Sequence, residues 1–444
     1  MAVAAERDAQ LTRMIGYSGH DIPDDDLLHA CVHCGMCLPA CPTYRLTGQE
    51  ASSPRGRLWM MKAVAEERLD LLDPTFDEQM YQCLNCRACE AVCPSGVHYG
   101  PLVEAARSQL EQHRRRPIWQ RWVRRVAMDW LFADMRRFRA AIGGVRFYQR
   151  SGLATGLRKS GLLRLLRVSD LEQMLPPLSR RSLVPGAESW IPSSPTRTVQ
   201  LFNGCVMSTI FADINRAAAR VMAHNDTAVA LPVGQQCCGA LQVHAGMMEE
   251  ARALAKHNIE AFEHGGDQPI VVTAAGCGAV LKEYSYLFRE DARYAKRATR
   301  FSERVRDVTE FLGSVEIKTP TVELPIDVTY QEPCHLAHAQ RVSAQPRSLL
   351  GSISGLNLIE MRESSLCCGS AGIYNLIRRK MADDLGDRKA RHVLETGAEV
   401  VVTANPGCAM QLRASLRRNG SSARVRYIVD MLDEAYGGAN APLP

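Results

Sequence analysis

Two stretches of the chain, CVHCGMCLPACP at 31–42 and CLNCRACEAVCP at 83–94, share the spacing C-x2-C-x2-C-x3-C-P. No other feature constrains the fold as tightly. Three thiols two residues apart wrap one face of an iron–sulfur cube, and the fourth, carried past a turn, reaches the other cluster. The spacing predicts crossed ligation. Cys31, Cys34, Cys37 and Cys93 would hold one [4Fe–4S] cluster, and Cys83, Cys86, Cys89 and Cys41 the second. Zinc is the competing occupant, but it usually takes two separated cysteine pairs rather than tight triplets with a distant fourth thiol.

Between the motifs, SSPRGRLWMMKAVAEERLDLL offers Ser53 as a helix N-cap and Pro54 as its first residue. Good helix formers follow, with an apolar stripe at Leu58, Met61, Val64 and Ala65. A second short helix is expected over Asp77–Gln82. The region therefore reads as an α-helical two-cluster ferredoxin domain. Arg55 and Arg57 either offset cluster charge or sit as solvated charges at a helix start.

The other eight cysteines form a repeat. Cys205, Cys237, Cys238 and Cys277 return as Cys334, Cys367, Cys368 and Cys408, at offsets of 129 to 131 residues. VVTAAGC (271–277) is echoed by VVTANPGC (401–408). So long a period means duplicated domains, not a solenoid. Cysteines follow short apolar runs (TVQLFNGC, QPIVVTAAGC, IDVTYQEPC, AEVVVTANPGC), with helical patterns at Met247–His264 and Asn375–Glu395 between such runs. Alternating strand and helix predicts parallel sheets, with sites outside the strands' carboxyl ends. A disulfide within either Cys-Cys pair is a poor explanation, because adjacent Cα atoms lie ~3.8 Å apart, shorter than a relaxed disulfide wants. Two adjacent thiolates instead bind two metals of one cluster or share one metal. Gly239 and Gly369 then allow a tight turn beside them.

All sixteen cysteines belong to one of these patterns, which points to metal binding in a reducing compartment rather than to disulfides. MAVAAERDAQLTR at the start has no apolar signal region, and Thr227–Met248, the longest uncharged run, is broken by Pro232 and Gly234. A cytoplasmic location is expected. The net charge of +6 is uneven: residues 113–167 carry +13 and the remainder −7. That describes one basic surface, not a nucleic-acid-coated protein.

With the two ferredoxin motifs, SPRGR, GCGAVLKEY, CHLAHAQ, CCGSAG and VTANPGC all in place, the chain resembles the glycolate oxidase iron–sulfur subunit family along nearly its whole length. It is also similar to heterodisulfide reductase subunits and to the small iron–sulfur subunit of anaerobic glycerol-3-phosphate dehydrogenase. The resemblance implies an α+β multidomain chain. Its parts would be a dicluster ferredoxin domain (1–112), a basic helical linker (113–195) and two α/β "CCG" domains (196–320 and 321–444). In the heterodisulfide relatives CCG domains hold non-cubane iron–sulfur clusters, and each repeat ends C-x-x-C. Here Val280 and Gln411 stand at that last position, leaving four cysteines per site. Four thiolates suit a further iron–sulfur cluster or tetrahedral zinc.

No G-x-G-x-x-G or G-x-x-x-x-G-K-[ST] is present, so no nicotinamide, flavin or nucleotide site is expected, and no catalytic residue. What the resemblance implies is a relay subunit, inactive alone. It would pass electrons from a partner flavoprotein that oxidises glycolate toward membrane quinone. Service to another 2-hydroxy acid such as D-lactate, or to glycerol 3-phosphate, is the alternative within the same architecture. A heterodisulfide-reductase-like catalyst and a zinc-stabilised binding module are further alternatives. His335 and His338 could handle protons, bind metal or be satisfied core histidines, and His98 is equally open. The middle segment interleaves arginine with Trp119, Trp122, Trp130, Phe132 and Phe138. That pattern suits an anionic membrane surface, a docking face for acidic partners, or a helix packed on its own domains.

Overall fold

The computed structural model describes residues 16–160, 172 and 175–438. The expectation drawn from the first thirteen residues lies outside the described residues, as do parts of the 113–195 segment. The first domain is helical. Ser53 Oγ accepts the Gly56 amide at 3.0 Å and Pro54 opens α1 (Pro54–Ala65). Helix α2 (Pro74–Gln82) starts three residues earlier than expected because Asp73 caps it, accepting from the Thr75 and Phe76 amides. Helix α3 (Tyr99–His113) completes the layer. Leu58, Met61, Val64, Phe76, Met80, Leu102, Val103 and Leu110 make its core. Ala65, expected in the stripe, is exposed, and Ala63 is buried instead.

The linker begins with α4 (Ile118–Arg124), which continues as wider π-type turns through Leu131. Asp134 then caps α5 (Met135–Arg150). Phe138 is buried and packs on Phe132 at a centroid distance of 4.9 Å, so these two rings are core rather than surface.

Each repeat is a four-stranded parallel sheet. In the first, β1 (Arg197–Phe202), β2 (Thr227–Ala230), β3 (Ile270–Val272) and β4 (Val305–Asp307) lie in the order β2-β1-β3-β4. In the second, β5 (Ile326–Tyr330), β6 (Leu356–Leu358), β7 (Val400–Thr403) and β8 (Arg424–Tyr427) lie as β6-β5-β7-β8. The order reverses between the two middle strands of each sheet, the switch point at which open α/β sheets leave a crevice.

Helices α6 (Ala212–His224), α7 (Met248–Glu263) and α8 (Ala275–Lys282) belong to the first repeat. Helices α9 (Arg379–Thr396), α10 (Pro406–Arg418) and α11 (Ile428–Ala435) belong to the second. The helix expected over Asn375–Glu395 is split. A short turn, Tyr374–Ile377, is separated from α9 by Arg378, whose ψ of 50° breaks the helical run. The repeats share one core, in which Val199, Val271, Val328 and Val402 belong to a single packed cluster. Helix α6 packs on α11, and Arg220 pairs with Asp433 across the contact at 2.6 Å.

Candidate functional site

Cys205 follows β1 and Cys277 follows β3; Cys334 follows β5 and Cys408 follows β7. These are the middle strands of the two sheets, so both switch points open toward cysteines. The Cys-Cys pairs arrive on the loops after β2 and β6. Cys205 and Cys237 place their sulfurs 3.5 Å apart, and Cys334 and Cys367 theirs 4.0 Å apart. The glycine after each pair has positive φ, +79° at Gly239 and +87° at Gly369. A Cβ on Gly369 would stand 2.5 Å from the Ala382 carbonyl oxygen, so glycine alone lets this loop lie on α9.

All eight of these cysteines line one cavity of about 680 Å³. The two repeats therefore face each other across a shared, largely apolar space. Linker residues Phe132, Tyr148 and Leu175 form part of its wall. Among the described residues no group of three or more His, Cys, Asp or Glu side chains is gathered tightly enough to hold a single ion. The thiols line a volume instead. Soft sulfur donors around an apolar cavity fit the donor chemistry of iron–sulfur clusters.

In the first domain the structure brings Cys41 together with Cys83, Cys86 and Cys89 around one small cavity, with Arg57 and Tyr99. Cys31, Cys34 and Cys37 lie on the other motif's loop, partly or fully exposed, and the Cys37 thiol is pushed up by burial. Cys93 packs on the same core as Cys31. Arg57 is buried. It donates to the Gln79 carbonyl at 2.7 Å and to Thr43, whose hydroxyl lies 3.2 Å from the Cys41 sulfur. Arg55 is paired with Glu50 and donates to the His33 carbonyl. The two arginines thus divide: one is part of the cysteine surroundings, the other a partly exposed ion pair.

The first domain docks so that its second cysteine loop meets the second repeat. Leu84, Cys86, Cys367 and Tyr374 share one packed cluster, with Cys334 against it. Burial, and next the Cys334 charge, push the Cys86 thiol well up. A free thiol raised in this way stays protonated, so a bound metal is what would hold Cys86 as a thiolate.

His335 and His338 are both satisfied by carbonyls: His335 Nε2 contacts Asn85 O at 2.8 Å and His338 Nε2 contacts Ser365 O at 3.0 Å. Burial holds His335 down to about 3, so it is neutral. His98 is exposed and makes no cap bond to α3. The sequence reading missed the buried network beside His335. Asn85 Nδ2 donates to Glu104 at 2.6 Å, His244 lies 3.1 Å from the same oxygen, and Arg87 bridges Glu104 and Glu283. Burial opposes ionisation of Glu104, but the His244 hydrogen bond and the Arg87 charge outweigh it and hold the carboxyl low. Three domains meet there. The signal available in the sequence was Arg87, a charge set inside a cysteine triplet.

Comparison with known proteins places names beside this geometry. Residues 27–97 match a 4Fe-4S dicluster domain, and residues 199–282 and 328–413 each match a cysteine-rich domain. Residues 119–175 match the linker region of the glycolate oxidase iron-sulfur subunit. A probable glycolate oxidase iron-sulfur subunit of Bacillus subtilis is 39% identical over 423 residues, covering 93% of this chain and 95% of that protein. The glycolate oxidase iron-sulfur subunit of Escherichia coli is 33% identical over 434 residues, covering 96% and 98%. Lactate utilization protein A of an Exiguobacterium species is 29% identical over 237 residues, covering 53% of this chain and 97% of that protein.

Proposed function

Because this chain belongs to the glycolate oxidase iron–sulfur subunit family, we propose that it carries electrons from a partner flavoprotein oxidising glycolate to glyoxylate toward membrane quinone. Glycolate gives up two electrons and two protons, and the quinone takes up two of each. The flavin would belong to the partner, since this chain shows no motif for one. Iron–sulfur clusters, when bound, take and release electrons singly and so can convey a flavin's pair in steps.

The observation that carries the reading is the packed cluster shared by Leu84, Cys86 and Cys367, with Cys334 against it, which brings the second ferredoxin-type loop to the edge of the eight-cysteine cavity. Cys31, Cys34, Cys37 and Cys93 would hold one [4Fe–4S] cluster, and Cys41, Cys83, Cys86 and Cys89 the next. Cys334, Cys367, Cys368 and Cys408 would hold a third group, and Cys205, Cys237, Cys238 and Cys277 a fourth. The apolar packing at Leu84, Tyr374 and Leu385 keeps water from the junction and lowers the local dielectric there.

Anaerobic iron, sulfide and zinc analysis with EPR of the purified chain tests the occupancy. Two [4Fe–4S] signals plus further iron are expected; zinc at one equivalent per repeat would make the repeats structural. Assays of the assembled complex test the direction. After Cys238→Ser or Cys368→Ser an artificial dye that takes electrons at the flavin should still be reduced, while quinone reduction falls sharply. Normal quinone reduction in both variants would remove the cavity from the route.

A further inference from the structure

Helix α4 and its π-type continuation turn an apolar stripe toward water. Along 118–131 the helical repeat sets Ile118, Trp119, Trp122, Val123, Val126 and Trp130 on one side. Ile118 is 79% exposed, Trp119 and Trp122 are 65%, Trp130 is 52% and Val123 is 51%. The opposite side is the one that packs on the protein. Met128 is buried and its carbonyl accepts from Gln242, while Arg124 pairs with Glu111 and donates to the Ala245 carbonyl. Arg124 is therefore an internal tether, not part of a free basic face. A surface helix normally hides its apolar side, so a stripe of this kind facing outward marks a contact with something outside the chain.

The charges around the stripe are mostly positive: residues 113–139 carry nine arginines against Asp129 and Asp134. Arg115, Arg125 and Arg136 are exposed and pair with no described carboxylate. Arg137 lies over the Trp130 ring at 5.1 Å. Asp134 is committed to capping α5. A purely acidic protein face would satisfy these arginines but offer nothing to three indoles and two aliphatic side chains. A bilayer surface with anionic headgroups offers both: phosphates for the arginines and the headgroup–acyl boundary for the indoles.

We propose that the stripe Ile118–Trp130 seats the protein on an anionic lipid surface. No helix among the described residues is long and apolar enough to cross a membrane, and the contact proposed is peripheral. The same linker supplies Phe132, Tyr148 and Leu175 to the wall of the eight-cysteine cavity, so the docking segment and that wall belong to one stretch of chain. The inference deepens the membrane-acceptor reading and rests on it for its physiological meaning.

The test uses the full cluster-loaded chain, anaerobically, with vesicles of phosphatidylcholine alone or with about 30% phosphatidylglycerol. Wild type should sediment with the anionic vesicles at least ~10-fold more tightly than with neutral ones, with a blue shift of tryptophan emission. Trp119→Ser/Trp122→Ser should lose ~10-fold or more of that binding while keeping the visible absorbance of its clusters. In the assembled complex the double variant should reduce a water-soluble quinone analogue as wild type does and lose reduction of a long-chain quinone held in vesicles. Wild-type protein remaining in the supernatant, or a double variant binding as well as wild type, overturns the proposal. So does shielding of Trp119 and Trp122 by the flavoprotein subunits without vesicle binding, which would make the stripe a protein interface. Intact vesicle binding with no reduction of any quinone by the wild-type complex would uphold the docking and defeat the electron-transfer reading instead.

Discussion

The two repeats hold the same cysteines on the same strands, yet their surroundings differ. The second repeat meets the first domain through its thiols: Cys334 and Cys367 pack with Cys86, and Tyr374 donates to the Gln82 carbonyl at 3.0 Å. The first repeat meets that domain through charge, Glu283 on buried Arg87, and its thiol loop is backed by the linker, where Gln236 accepts from the Met135 amide. The contrast extends to the helix under each Cys-Cys-Gly turn. Gly239 lies on Ala251 and Gly369 on Ala382, which aligns Asn258 of α7 with Lys389 of α9. Duplication copied the donor set and not its environment. A cysteine pattern therefore states what a site binds, while its neighbours decide where that site stands in a relay.

The largest effect expected from breaking this asymmetry is on electron flow. Cys334→Ser replaces a soft thiolate with a weaker oxygen donor where the first domain enters. Quinone reduction by the complex should fall by roughly 100-fold or more, and the first repeat's iron should no longer be reduced through the complex. Cys205→Ser should also lower quinone reduction, but it should leave the second repeat's iron reducible. EPR of the two variants after addition of glycolate distinguishes them. If Cys205→Ser blocks the second repeat and Cys334→Ser spares the first, the order of the two sites is reversed.

Much of this comparison was readable beforehand, and its limits are physical. Spacing fixes local geometry, so the cysteine triplets, the Ser53 cap and the strand before Cys205, Cys277, Cys334 or Cys408 all follow from a few neighbouring residues. The repeat was visible because both copies keep that local pattern. The interleaving of arginine with Trp119, Trp122 and Trp130 at helical spacing was likewise visible, but spacing cannot say which side faces the protein. It also could not bury Phe138 or interrupt the helix at Arg378, whose guanidinium is drawn to Glu78 of α2, 300 residues away. The meeting of Cys86 with Cys334 and the Arg87–Glu104–His244 network depend on domain docking, which no short-range pattern encodes.

Next in size is the energetic contrast between the two docking faces. Arg87 is buried against Glu104, with the partly exposed Glu283 as its second partner, so Arg87→Met leaves the buried Glu104 without that cation. Thermal or denaturant unfolding should register a loss of roughly 3–5 kcal/mol. Arg378 pairs with Glu78 at 2.6 Å near the surface, where water screens the pair, and Arg378→Met should cost about 0–1 kcal/mol. Equal losses from the two variants would show that the first domain is held to both repeats by the same kind of contact.

The smallest expected effect is the most local. Lys389 is buried and donates to the Glu363 and Ser364 carbonyls, and burial holds its ammonium down to about 8 against the pull of Cys368, Cys367 and Cys408. At neutral pH it is therefore a fixed positive charge beside the second repeat's thiols. Asn258 is neutral and uses its amide on the Cys237 carbonyl at 2.9 Å and the Tyr284 hydroxyl at 3.1 Å. A cation favours the more negative, reduced form of whatever metal group those thiols hold, so the second repeat should have the higher potential. Lys389→Met keeps an unbranched chain of similar length and removes the charge. The second repeat's midpoint should move to lower potential by the equivalent of about 1 kcal/mol, and the first repeat's should stay where it is. Redox titration followed by EPR reads both midpoints in one sample, with the first repeat as internal control. A shift in both, or in neither, would mean that the surroundings of the two sites are electrostatically equivalent despite Lys389.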